Sequence, residues 1–158
     1  QYVHGNQPSH HVAYLWNYSG EPWKTQYWTR QICEQLYRPG PGGLCGNEDM
    51  GSLSSWYVLS SMGFYPVTPG NPVYSIGSPL FGKTTIRPAK GVEFIIEAEN
   101  NSSENRYIQS ATLNGEALNI PEISHADIMK GGRLTFVMGP EPNKELFKLH
   151  RPDPPDNR

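Results

Sequence analysis

The spacing of apolar residues changes near residue 66, and this change limits the fold more than any other feature of the sequence. Before it, apolar side chains recur at the intervals of amphipathic helices, over residues 12–18, 21–36 and 52–62. After it, turn residues separate short runs of β-branched and aromatic residues, at 73–76, 84–87, 92–97, 107–113, 116–120 and 133–138. The sequence therefore predicts an α+β chain, with a helical N-terminal half and an antiparallel β half.

The boundary between the two halves is rich in proline and glycine. Residues 1–66 are assigned to the helical part and residues 67–150 to the β part. Within the β part, Asn114-Gly115 lies between two predicted strands and is a strong signal for a hairpin. Residues 151–158 contain three prolines, and we expect this tail to be disordered.

The composition argues against several classes of protein. A formal charge of −2 without a basic patch disfavours nucleic-acid binding, and no apolar run is long enough for a membrane span. An aromatic content of 11% argues against disorder. The chain has no initiator methionine and no signal peptide, so we expect it to be part of a longer protein. Cys33 and Cys45 are too few for a disulfide framework, and a single bridge between them stays open.

Two adjacent carboxylates, Glu48 and Asp49, lie in a glycine-rich segment directly before the third predicted helix. Glycine allows the backbone to turn sharply and to approach a ligand closely. A carboxylate in such a turn is suited to general-base chemistry or to binding a hard cation. The alternative is structural, because Asp49 and Ser52 are also residue types that cap a helix. The segment alone leaves both interpretations open.

A polar segment near the N-terminus, residues 4–11 (HGNQPSHH), is the second candidate site. Its three histidines lack the spacing of a zinc motif and no Cys-x-x-Cys pair accompanies them, which disfavours a metal-dependent peptidase. The side-chain amides of Asn6 and Gln7 carry oxygens of the type that binds calcium. These two residues are therefore candidate calcium ligands.

Several segments, taken in order, resemble glycoside hydrolase family 92, a family of calcium-dependent, inverting exo-α-mannosidases. They are residues 4–11 (HGNQPSHH), 46–51 (GNEDMG), 63–67 (GFYPV), 76–81 (IGSPLF), 108–115 (IQSATLNG) and 131–136 (GGRLTF). The resemblance extends from Tyr2 to about Asn143. It implies that the chain is the C-terminal part of such an enzyme, with its helices closing an (α/α)6 barrel and its strands forming a β region behind it.

The resemblance also implies roles for the residues of the two segments. Asp49 corresponds to the general base that activates water, and Asn47 stands where relatives often carry a second carboxylate. We assign His4, Glu48 and His10 to substrate binding. The general acid of the family, a glutamate, would lie before this chain, so we expect the isolated chain to be inactive.

The calcium site carries one departure from the family pattern. By the resemblance, Asn6 and Gln7 lie where the family contacts calcium and the terminal mannose, and most relatives have Glu at the position of Gln7. The lost charge implies weaker calcium binding or a change on the leaving-group side. Cleavage of a mannosyl phosphodiester is the variant that this change suggests.

The function predicted from the sequence is therefore hydrolysis of terminal, α-1,2-linked mannose from glycans. The alternative from another class is a non-catalytic carbohydrate-binding or structural module. The expected partners are mannose-containing glycans and the rest of the parent polypeptide, and we expect exposed helix faces to promote self-association of the fragment. Because relatives are typically exported, an extracytoplasmic location is implied.

Overall fold

The structure is a computed structural model that describes residues 2–148. Its α-helices are α1 (Pro22–Leu36), α2 (Ser52–Met62) and α3 (His125–Lys130). Short 3-10 helices cover Gln7–Ser9, Val12–Asn17 and Asp49–Gly51. The predicted tail at 151–158 and the last two residues of the predicted β part lie outside the described residues. Within the described part of the chain, no helix is long and apolar enough to cross a membrane.

Within residues 2–148, eight strands form two sheets. They are β1 (Phe64–Tyr65), β2 (Val73–Ile76), β3 (Lys83–Ala89), β4 (Val92–Glu99), β5 (Tyr107–Leu113), β6 (Glu116–Ala117), β7 (Glu122–Ser124) and β8 (Gly132–Gly139). The smaller sheet has the strand order β1-β2-β7, and the larger has the order β3-β4-β8-β5-β6. The α+β prediction is confirmed.

The predicted β half is not wholly antiparallel, because β4 and β8 run parallel. Strand β8 lies between β4 and β5, and it pairs antiparallel with β5 on its other side. A parallel pair needs a long crossover, and here β5, β6, β7 and α3 lie between the two strands in sequence. Alternating apolar residues identify a strand but not its direction, so this pairing could not be inferred from the pattern.

Local signals explain most element boundaries. Helix α2 ends at Gly63, whose φ of 103° is the left-handed conformation that closes a helix. Asn114 and Gly115 have φ of 53° and 87°, as a two-residue hairpin turn requires, and the predicted hairpin is present as β5-β6. The helix expected at 12–18 is instead a 3-10 helix, since six residues are too few for apolar spacing to separate the two helix types.

Two buried clusters hold the described part of the chain together. One fills the space beneath the sheets, with Phe94, Ile108, Leu134 and Phe136 wholly buried. The other is aromatic and lies among the helices, around Tyr14 and Trp56. The second cluster supports the segments that carry the candidate site.

Buried polar side chains of α1 join the helices to the β part. Gln26 accepts a hydrogen bond from the Ile108 backbone N–H at 2.9 Å. Arg30 donates to Asn101 Oδ1 at 2.9 Å and to Ser102 O at 2.6 Å. Both α1 residues are 3% exposed, so these bonds replace hydration that burial removes. They hold α1 in one position against the loop and strand that they contact.

Candidate active site

The two segments singled out in the sequence cross each other through a pair of glycines. We call residues 4–11 the first loop and residues 43–51 the second loop. A Cβ added to Gly5 would lie 2.6 Å from Cys45 O, and one added to Gly46 would lie 2.4 Å from Gly5 O. Both distances are far below van der Waals contact, so this crossing requires glycine on both sides.

A hydrogen bond next to the crossing connects the polar residues of the two loops. The Gln7 side chain donates from Nε2 to Asn47 O at 2.8 Å. This bond brings the candidate calcium ligands, Asn6 and Gln7, to the segment that carries Asn47 and Asp49. The loops are far apart in sequence, and the fold brings them together.

The second loop reaches α2 through a sharp left-handed turn. Met50 has φ of 56° and ψ of 23°, and Gly51 has φ of 72°. A left-handed methionine costs conformational energy, and such residues cluster at functional sites. The Met50 side chain is fully exposed, so apolar packing in the described chain does not offset this cost. The turn leaves Asp49 at the surface, directly before α2.

The two adjacent carboxylates of the second loop have different environments. Both carboxylate oxygens of Glu48 accept a hydrogen bond from the Ser54 backbone N–H, at 3.1 and 3.2 Å. Glu48 therefore satisfies an amide in the first turn of α2 and places its charge at the favourable helix end. Within residues 2–148, no group donates a hydrogen bond to the exposed Asp49 carboxylate. The side chain that caps α2 is Glu48, and Asp49 is available for a ligand.

The histidines predicted to bind substrate lie inside the fold. The Tyr2 hydroxyl lies 2.7 Å from His4 Nδ1, and the Tyr37 hydroxyl lies 2.6 Å from His4 Nε2. Burial, together with the neighbouring His10, lowers the pKa of His4 to about 4, so His4 is neutral at physiological pH. His10 donates from Nε2 to His4 O at 3.1 Å, and burial is the main cause of its lowered pKa.

The two amide residues fit part of a calcium shell. Asn6 precedes the 3-10 helix Gln7–Ser9, but its side chain makes no capping hydrogen bond there. Gln7 uses its Nε2 as a donor, which leaves its side-chain oxygen available. Calcium takes six to eight oxygen ligands, and among residues 2–148 no three His, Cys, Asp or Glu side chains are grouped to hold a metal. The chain thus offers two neutral oxygens of the right kind, and other groups must complete the shell.

The candidate site is open to solvent. One groove of about 430 Å³ lies between the second loop and α2, lined in part by Leu44, Ser54 and Tyr57. A second, of about 230 Å³, is apolar and is lined in part by Trp16 and Trp28. Neither is lined by Asn47 or Asp49. A pocket that encloses a sugar at Asp49 would need further protein around the turn.

The chain is similar to proteins of one known family. Residues 1–140 match the family model described as the glycosyl hydrolase family 92 catalytic domain. The chain belongs to glycosyl hydrolase family 92. An uncharacterized secreted glycosidase from Arthroderma benhamiae is 34% identical over 140 residues, which are 87% of this chain and 18% of that protein.

Solved structures of family 92 proteins share the fold. A family GH92 alpha-mannosidase from Bacteroides thetaiotaomicron superimposes with a TM-score of 0.88 at 42% identity, covering 92% of this chain and 20% of its own. A family GH92 inverting mannosidase from Bacteroides thetaiotaomicron gives a TM-score of 0.87 at 46% identity, with coverage of 93% and 20%. The chain therefore spans about a fifth of the length of these relatives.

Sequence reasoning missed the residues that connect the loops. Gly5 and Gly46 were not singled out, although each lies beside a predicted site residue. Tyr2 and Tyr37 were missed because their contacts with His4 depend on the fold. The only available signal for the crossing was a glycine in each polar loop, and one sequence does not reveal which glycines touch.

Proposed function

We propose that this chain is the C-terminal part of an inverting, calcium-dependent exo-α-mannosidase in which Asp49 is the general base. One observation carries the proposal: of the two exposed carboxylates of the second loop, Asp49 has no hydrogen-bond partner among residues 2–148, while Glu48 is bonded to the first turn of α2. It lies in the loop that contacts Gln7, as a base next to a sugar site would. The proposal rests also on membership of family 92, whose relatives include an inverting mannosidase.

In this mechanism Asp49 accepts a proton from water while the water oxygen bonds to the anomeric carbon. The bond to the leaving oxygen breaks on the opposite face, and a general acid protonates that oxygen. Inverting enzymes place the two carboxyl groups roughly 6.5–9.5 Å apart. Glu48 is bonded to Ser54, so we assign the acid to protein outside this chain. Asn47 would orient the water through its side-chain amide, and the product is the β-anomer.

The metal and substrate contacts belong to the same proposal. Asn6 and Gln7 would supply oxygens to calcium, which when bound would polarise and orient hydroxyls of the terminal mannose. Within the described chain His4 has hydroxyls on both ring nitrogens and Glu48 is bonded to α2, so their influence on the substrate would be indirect. His10 is 3% exposed and its Nε2 is bonded to His4 O, so its influence on the substrate would likewise be through the position of the first loop.

The substrate proposed is a glycan with terminal α-1,2-linked mannose, cleaved outside the cytoplasm. The A. benhamiae relative is described as secreted, and a GH92 alpha-mannosidase from B. thetaiotaomicron was solved with mannoimidazole. A second candidate, a mannosyl phosphodiester, is favoured by Gln7, a neutral side chain that donates to Asn47 O. The rest of the parent polypeptide would be the main partner, and the isolated chain would self-associate through its exposed apolar residues, such as Trp28.

The test is mannose release from α-1,2-mannobiose by the intact parent enzyme, with calcium and then with excess EDTA, followed by NMR. We expect β-mannose first, loss of activity in EDTA, and no release by the 158-residue chain alone. Asp49→Asn should lower turnover by about 10²–10⁴-fold. Glu116→Gln, which removes an exposed carboxylate in β6, is the control and should not change it.

Full turnover by the Asp49→Asn enzyme would refute the assignment of the base and favour a binding or structural role for this region. No release from the mannobiose, with release from a mannosyl phosphodiester, would favour the second candidate. Release of α-mannose first would exclude inversion. Activity that persists in EDTA would remove calcium from the mechanism.

A further inference from the structure

The Tyr37 hydroxyl joins the first loop to the helix that carries the catalytic turn. It lies 2.6 Å from His4 Nε2 and donates a hydrogen bond to the Leu53 backbone oxygen at 3.1 Å. His4 belongs to the first loop, and Leu53 lies in the first turn of α2, directly behind the second loop. Tyr37 itself follows the last residue of α1. One oxygen atom thus contacts both segments of the candidate site.

The chemistry of each group fixes which atom donates in this series of hydrogen bonds. A carbonyl oxygen can only accept, so the single Tyr37 hydroxyl proton goes to Leu53 O. Tyr37 must then accept from His4 Nε2–H. A neutral imidazole protonated on Nε2 has an acceptor at Nδ1, and Tyr2 donates to it at 2.7 Å. The donors and acceptors from Tyr2 to Leu53 are therefore matched without a charge.

The surrounding aromatic rings hold this series of hydrogen bonds rigidly. His4 is 3% exposed, and its ring lies edge-on to Trp56 with centroids 4.3 Å apart. Tyr37 is stacked on Trp56 at an interplanar angle of 5°, with centroids 6.0 Å apart. Trp56 donates from Nε1 to the His10 backbone oxygen at 3.0 Å, a second link between α2 and the first loop. The hydroxyl cannot shift without moving one of these groups.

We propose that Tyr37 is a positioning residue, whose hydroxyl sets the distance between the first loop and the Asp49 turn. This inference rests on the proposed role of Asp49 as the general base. The Tyr37 hydroxyl is bonded to His4 and Leu53, so it would act through these two residues. Loss of the Tyr37 hydroxyl leaves the buried His4 Nε2–H without an acceptor. We therefore expect the two loops to move relative to each other.

The test is Tyr37→Phe in the intact parent enzyme, with Tyr57→Phe as the matched control. Tyr57 packs against Tyr37 with ring centroids 4.7 Å apart, but its hydroxyl makes no hydrogen bond in the described chain. A displacement of about 1 Å costs on the order of 10²-fold in rate, so we expect kcat to fall by about 10- to 100-fold in Tyr37→Phe. KM should stay within about twofold, and Tyr57→Phe should match wild type.

A second measurement keeps the test independent of folding yield and of the reaction. In the intact parent enzyme with selective 15N labels, Tyr37→Phe should shift the backbone amide signals of residues 47–51 and the imidazole nitrogens of His4, while Tyr57→Phe should leave them in place. Unchanged kcat, or unchanged signals at 47–51, would overturn the proposal. If the wild-type enzyme releases no mannose, the proposed function fails, and the amide signals alone decide whether Tyr37 couples the loops.

Discussion

Replacing Gly46 by alanine tests whether the crossing of the two loops builds the site. The added Cβ would lie 2.4 Å from Gly5 O, 2.5 Å from Gly5 Cα and 2.8 Å from Gly5 C. All three are backbone atoms, so no side-chain rotation can relieve the contact. Gly46 does not have a left-handed φ, and the cost of the substitution therefore comes from the clash and not from backbone strain.

The contact distances determine how much Gly46→Ala should cost in stability and in rate. The closest contact must open by about 1 Å to reach the 3.4 Å at which ordinary van der Waals contact begins. Overpacking of this kind typically destabilises a protein by about 1–3 kcal/mol. Separating the loops also lengthens the Gln7–Asn47 hydrogen bond, now 2.8 Å. A shift of about 1 Å at a catalytic group costs on the order of 10²-fold in rate.

The assay compares Gly46→Ala with Gly42→Ala, a glycine of the preceding turn that has open space around it. Both changes have the same effect on the unfolded chain, so their difference isolates the clash. We expect Gly46→Ala to unfold at lower urea concentration and, in the intact enzyme, to lose about 10²-fold in kcat. Gly42→Ala should be unchanged or up to about 1 kcal/mol more stable. Equal stability and equal kcat in the two variants would refute the argument that this contact holds the site.

Two further predictions concern the cysteines and one ion pair of the β part. Cys33 and Cys45 carry free thiols, and burial raises the pKa of Cys33 to about 12. A thiol reagent should therefore modify Cys45 alone in the folded protein and both thiols in urea. Two reactive thiols before unfolding, or none, would contradict this prediction. Glu97 has a lowered pKa because Arg133 and Lys83 donate hydrogen bonds to its carboxylate. Ionised Glu97 therefore stabilises the folded state at pH values above its unfolded pKa of about 4.5, and this stability is lost as the pH falls through the lower pKa of the folded state. Urea unfolding from pH 7 to pH 3 should therefore show a weaker acid dependence in Glu97→Gln, and parallel curves would disprove the linkage.

Local patterns were sufficient to predict elements whose ends are marked by one residue type. Helix α1 was predicted at 21–36 and occupies Pro22–Leu36, since proline suits the first helical turn. Helix α3 was missed because it has only six residues, although Ser124 and Asp127 form a capping box at its start. The direction of β8 could not be predicted, since it depends on which strands the chain places on either side.

The candidate site shows the same division between local and long-range information. A turn before α2 was predictable from the glycines around Glu48 and Asp49. The sequence did not show which of the two carboxylates caps the helix, because both stand near its start and the bond between the Ser54 N–H and Glu48 depends on how the turn folds. The contact between Gly5 and Gly46 depends on the packing of both loops, and no local propensity encodes it.

One route from the β part to the site runs through α1. Arg30, 3% exposed, is bonded to Asn101 Oδ1 and Ser102 O, which sets α1 against the loop that follows β4. The residue that follows α1 is Tyr37, whose hydroxyl joins His4 to Leu53 at the start of α2. The position of the Asp49 turn therefore depends on a continuous series of buried contacts that begins in the β part. The sheets and the Asp49 turn should accordingly unfold together, because a break in α1 would separate the loops that form the candidate site.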